Sequence, residues 1–119
     1  MPSLYKSFKD GKYSLAISSE ILLEYEEQLK RRYNTTSVDS ELNELLVSEN
    51  TIFISPDYFW NLISIDPDDN KFVDCAVASN ADYIVTNDKH FDVLHTITFP
   101  KVNTLTLQQF IELLTETRP

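Results

Sequence analysis

The residues of this chain that could do chemistry are almost all carboxylates, and they gather at two places. Asp66-Pro67-Asp68-Asp69-Asn70 packs acids around a proline, and Asp88 closes the polar turn Thr86-Asn87-Asp88. Carboxylates converging from two such segments offer oxygen donors, the ligand set of a hard divalent cation. Each acid also has an ordinary use. Asp at a helix start caps it and favours the dipole, and Asp88 suits a turn. Asp68 rivals Asp69 for either role, and Asp92 is a weaker candidate for an auxiliary ligand. His90 and His95 read as packing or solvent-facing residues. Trp60 and the Phe residues read as core, and Cys75 as a small core residue inside an apolar helix.

Three local patterns can be tried on the first acid group. A calcium EF-hand loop matches at its first, third and fifth positions, then needs Gly where Lys71 stands and Glu where Val77 stands. A phosphatase-type Asp-x-Asp lacks its later lysine and acid pair. A response-regulator site needs its acid pair on the first strand, whereas here the pair comes late and precedes a helix.

These acids must be positioned by regular elements, and the apolar periodicity alternates between two kinds. Lys12 to Ser18 alternates like a strand. Ser19 to about Tyr33 is helical, with Ser19 as N-cap and Ile21, Leu22, Tyr25 and Leu29 on one side. A second helix is expected over about 39–49 with Leu42, Leu45 and Leu46 inward, then a β-prone run over 51–54. Tyr58 to Ile65 is ambiguous: its residues favour a strand, but Pro56 and Pro67 bracket it. Asn70 to Asn80 reads as a helix whose Ala76 and Ala78 allow close packing. Strands follow at 83–85 and 102–105, and a last helix over about 107–115. Short strands alternating with helices imply a parallel sheet covered on both faces, a three-layer α/β domain. In such sheets, ligands bind beyond the carboxyl ends of the strands, where Asp88 falls.

The 119 residues are room for one domain, taken as 1–119. One Gly excludes a Gly-rich phosphate loop, and one Cys excludes an internal disulfide. No Cys/His cluster can build a zinc site. No stretch approaches the roughly 20 apolar residues that span a bilayer, and the N-terminus has no signal-peptide core. A reducing cytoplasm and no membrane partner are therefore the default expectations. The formal charge of −9 argues against tight non-specific binding to nucleic acid. It does not exclude a nuclease, because a site made of carboxylates stays negative until metal fills it.

Taken together, Ser19-Glu20-Ile21-Leu22-Leu23-Glu24-Tyr25, Asp66-Pro67-Asp68-Asp69-Asn70-Lys71-Phe72 and Ala81-Asp82-Tyr83-Ile84-Val85-Thr86-Asn87-Asp88 resemble the PIN-domain family. Within it they are similar to bacterial toxin components of toxin–antitoxin systems, relatives of the VapC-like toxins. Leu105-Thr106-Leu107-Gln108-Gln109-Phe110 is similar to that group's last strand and helix, so the resemblance runs from about Leu4 to Leu114. It implies a three-layer α/β/α fold and a ribonuclease that hydrolyses RNA with Mg2+ or Mn2+ held by acids. Carried onto this sequence, the catalytic and metal-binding acids are Glu24, Asp69 and Asp88, with Thr86 and Asn87 orienting ligands or water. Helical geometry alone does not single out Glu24, which lies just off the apolar arc with Glu26 at its other edge.

The family normally opens with a hydrophobic strand ending in the first metal-ligand Asp. Nothing before Tyr13 is strand-like, so the expected sheet lacks its first, central strand, and the favoured expectation is a start further upstream. The rival expectation is a catalytically inactive PIN-like remnant that acts as a protein-interaction module. The resemblance also implies an RNA substrate, a cognate antitoxin that inserts Arg or Lys among the carboxylates, and a homodimer.

Overall fold

Short β-branched runs separated by amphipathic stretches become strands and helices in the computed structural model, which describes residues 4–116. The order is α1 (Leu4–Lys9), β1 (Leu15–Ile17), α2 (Ser19–Arg32), α3 (Thr35–Val47), β2 (Thr51–Phe53), α4 (Asn70–Ser79), β3 (Ile84–Val85), β4 (Thr104–Leu105) and α5 (Leu107–Glu116). Two 3₁₀ segments, Pro67–Asp69 and Lys89–Thr96, precede α4 and follow β3. None of the described helices is long and apolar enough to cross a membrane.

All the strand pairing among the described residues is parallel, as the alternation of elements requires. β1 runs beside β2 with Ala16 opposite Ile52, and β3 beside β4 with Ile84 opposite Thr104. The pairs form two two-stranded sheets rather than one continuous sheet. Leu15 N–H donates to Asn50 O and Ile17 O accepts from Ile54 N–H, so the backbone of Ala16 between them turns to the other edge. By the same alternation Ile84 and Thr86 donate to β4 through Asn103 O and Leu105 O, and Val85 turns away. α4 packs against both β1 and β3, so one helix ties the two sheets together.

That position explains why α4 is apolar on more than one side. Its Val73 and Ala76 enter a core with Ile63, Phe91, Leu94 and Val102, while Cys75 enters a second with Ile17 and Ile21. Phe72 packs against both. Burial drives the Cys75 thiol up to about 11, which keeps it a neutral core group.

Several local expectations are corrected. Ser18, not Ser19, is the N-cap of α2, its Oγ accepting from Ile21 N–H at 3.3 Å. α3 starts earlier than the periodicity suggests, and Leu46 is exposed, whereas Leu42 is buried. Residues 58–64 form neither strand nor helix. Phe53, Phe59 and Phe99 are exposed, so only part of the Phe set is core. Ala78 is exposed on the outer side of α4 while Ala76 packs inward.

Candidate metal centre

Asp66-Pro67-Asp68-Asp69 starts a helix by a standard device. Asp66 Oδ1 accepts from Asp68 N–H at 3.2 Å, and Pro67 takes the first helical position, where no N–H is needed. After β3, Asp88 repeats the device: its Oδ1 accepts from His90 N–H at 2.9 Å and opens the segment Lys89–Thr96. Both acids therefore cap a turn, and capping fixes where their carboxylates point.

Asp69 differs. It occupies the N-cap position of α4 and makes no side-chain capping bond. Its carboxylate turns instead toward the other segment, with Oδ2 at 3.2 Å from His90 Nδ1. One ligand atom each from Asp66, Asp69 and His90 lies within 4.8 Å of the others, and all three residues are half-buried. Asp88 stands beside this group, its Oδ1 3.5 Å from the same His90 nitrogen.

The electrostatics are those of crowded like charges. Burial raises the Asp69 pKa first, the His90 hydrogen bond opposes that, and Asp66 and Asp88 push it up further. A cation among these groups would relieve both the desolvation and the repulsion. The donor set of two carboxylates and one imidazole, with a third carboxylate adjacent, fits a divalent metal ion.

Of the acids singled out in the sequence, Asp69 lies in the cluster and Asp88 adjoins it. Glu24 does not join them: its Oε1 holds Lys71 Nζ at 2.7 Å, and Asp68 Oδ1 holds the same ammonium at 3.1 Å. Burial of Lys71 works against its charge, but these two carboxylates outweigh it and raise the pKa. Asn87 Oδ1 accepts from Leu107 N–H at 3.0 Å at the start of α5, and Thr86 Oγ1 from Asp88 N–H at 3.0 Å. Thr86 thus braces Asp88, while Asn87 serves the last helix. Asp92 is exposed, and His95 Nε2 contacts Thr104 Oγ1 at 2.8 Å, remote in role from the acids.

In the sequence Asp66 is one of an acid group able to hold a cation but is not among the acids carried over from the family, and His90 reads as packing or solvent-facing; the structure brings both into the cluster. A signal was there: each pairs a turn-capping Asp with a residue two positions on, which brings both turns to a fixed geometry. Nothing in the local pattern says that the turns face each other.

A PIN-domain model matches residues 3–90, which takes in both acid-bearing segments. The chain belongs to the PIN-domain family. No curated protein and no solved structure matches it. Membership points to a nuclease-type function, and the acidic cluster of this PIN domain is arranged so that it can hold a metal ion.

Proposed function

We propose that the chain is a metal-dependent ribonuclease, the toxin component of a toxin–antitoxin pair, acting at the Asp66, Asp69 and His90 cluster. The observation that supports this reading is that cluster, formed by two turns from opposite ends of the α4–β3 unit within a PIN domain. Mg2+ or Mn2+ would be held by Asp66, Asp69 and His90, with Asp88 adjoining. Such an ion supplies a Lewis acid for the phosphodiester and offsets the charge that develops there.

The protein's own groups do the rest of the positioning. The Asp68 N–H fixes Asp66, the His90 N–H fixes Asp88, and Thr86 holds the backbone of Asp88. Glu24 belongs to the catalytic set by resemblance alone, since its Oε1 is paired with Lys71 Nζ. The RNA substrate, an antitoxin that inserts basic side chains, a homodimer and a cytoplasmic setting are part of the same proposal, and rest on resemblance. The test is cleavage of single-stranded RNA with Mn2+, which Asp69→Asn and Asp88→Asn should abolish. Cleavage by the double variant at the parental rate overturns the site.

The second reading is an interaction module, and the outward-facing backbones of Ala16 and Val85 favour it, since unpaired edges accept an added strand. It gains the field if a basic partner peptide binds while Mn2+ at millimolar concentration does not.

A further inference from the structure

We propose that a pocket beside α4 binds one nucleobase that carries an exocyclic amino group, read by Asp74 and stacked on Phe59; this rests on the RNA-cleavage reading above. The pocket measures about 180 Å³, and Ser18, Glu20, Ser55, Phe59, Lys71 and Asp74 are among its walls. Asp74 is only 5% exposed. Among the described residues its carboxylate has one hydrogen-bond donor, the Trp60 N–H, at 3.0 Å from Oδ1. No described buried side-chain oxygen is both sealed and unpartnered, so Oδ2 keeps some access to water, and Asp74 is part of the pocket wall. Burial raises the Asp74 pKa, the Trp60 N–H lowers it, and Glu20 raises it again. A guest N–H that takes the place of water at this acceptor makes a charge-assisted hydrogen bond in a largely buried setting.

The guest has to be flat, because Phe59 presents a ring that is 62% exposed at the pocket. The Lys71 ammonium in the wall is already bound to Glu24 and Asp68, which leaves Asp74 and Glu20 as the carboxylate acceptors open to a guest. A guanidinium is the competing guest for those acceptors. A base meets them through neutral edges, and a carboxylate selects edges that donate: guanine offers N1–H and N2–H side by side, and adenine and cytosine offer one amino group. Uracil flanks its single N–H with carbonyl oxygens, which a carboxylate repels. The location also constrains a substrate subsite. Asp74 lies five residues after Asp69, ~7.5 Å further along the helix axis and about 140° around it, so a strand held at the cluster has to pass around α4 to place a base there.

The experiment is an NMR titration of the whole chain with guanosine 5′-monophosphate and with uridine 5′-monophosphate in EDTA, where no cleavage occurs. The guanine nucleotide should bind about tenfold more tightly, with shifts at Ser55, Phe59 and Asp74. Asp74→Asn turns an amide donor into the pocket and should erase that preference, while Phe59→Ala should weaken both nucleotides alike. Should Asp74→Asn fail to fold, the exposed Phe59→Ala decides, and unchanged binding there overturns the proposal. Equal affinities for the two nucleotides, or an unchanged preference in Asp74→Asn, also overturn it. So does arginine amide occupying the pocket in their place, which marks a protein-docking site. Because the readout needs no metal, failed RNA cleavage with normal guanine selectivity removes the nuclease reading alone. Cleavage without selectivity removes only the subsite.

Discussion

Replacing Asn70 with Ala should cost about 3 kcal/mol of stability, and the reasoning is local enough to be refuted. Asn70 Oδ1 accepts from Ile63 N–H and Asn70 Nδ2 donates to Ile63 O, both at 2.9 Å. Ile63 is 1% exposed and Asn70 7%, so water cannot replace either bond without a rearrangement. Each buried backbone group left unpaired costs about 1–3 kcal/mol, and some relaxation of residues 60–65 returns part of the sum. Against a total stability of roughly 5–15 kcal/mol, the loss is large. Urea titration followed by circular dichroism should show a lower midpoint with the slope unchanged. Asn70→Asp is the informative companion. Its carboxylate can accept from Ile63 N–H but faces Ile63 O with a second acceptor, so the neutral acid is the form that fits. Its pKa rises in the folded state, and the sign follows: the Asp variant should recover relative to wild type as pH falls, because a protonated carboxyl donates again. A loss below about 0.5 kcal/mol in Asn70→Ala, with Asn70→Asp insensitive to pH, would mean that this side chain does not hold the segment leading to Asp66.

Mn2+ should raise the melting temperature of the wild type, with a gain approaching about 2.7 kcal/mol at a hundred times the dissociation constant; Asp69→Asn should lose the effect, and an undiminished shift in that variant would place the metal elsewhere. Lys71→Met should destabilise by about 1 kcal/mol in low salt, discounted for the partial exposure of Glu24 and Asp68, and the difference from wild type should shrink at high salt. The Cys75 thiol, 2% exposed, has its folded pKa raised from 9.0 to about 11. Its contribution is therefore present below pH 9 and lost as the unfolded thiol ionises between pH 9 and 11, on the order of 2 kcal/mol. Cys75→Ala should flatten that alkaline decline, which chemical denaturation across the pH range will show. Asn80 ends α4 at φ 55°, so Asn80→Ala should cost about 1 kcal/mol and Asn80→Gly little or nothing.

The sequence by itself determined most of the elements and the class. Apolar spacing located α2, α4 and α5 to within a residue or two, since a helix face must repeat every 3.6 residues whatever it packs against. The alternation of strands with helices committed the chain to parallel pairing. The acid-bearing motifs, in order and spacing, carried the family resemblance that the domain match supports. The run 58–65 was not legible, because what holds it is Asn70 and Asp74 reaching back from α4 to Ile63 and Trp60, contacts seven and fourteen residues apart. Only tertiary structure decided which acids meet. Asp66 and Asp88 each look like a turn cap, and each is one; Asp69 looks like a cap and is not. His90 joins Asp66 and Asp69 because α4 and β3 set the two turns side by side, while Glu24 pairs with Lys71 instead. Local periodicity records which face of an element is buried; it holds no information on which two loops the packing of that face brings together.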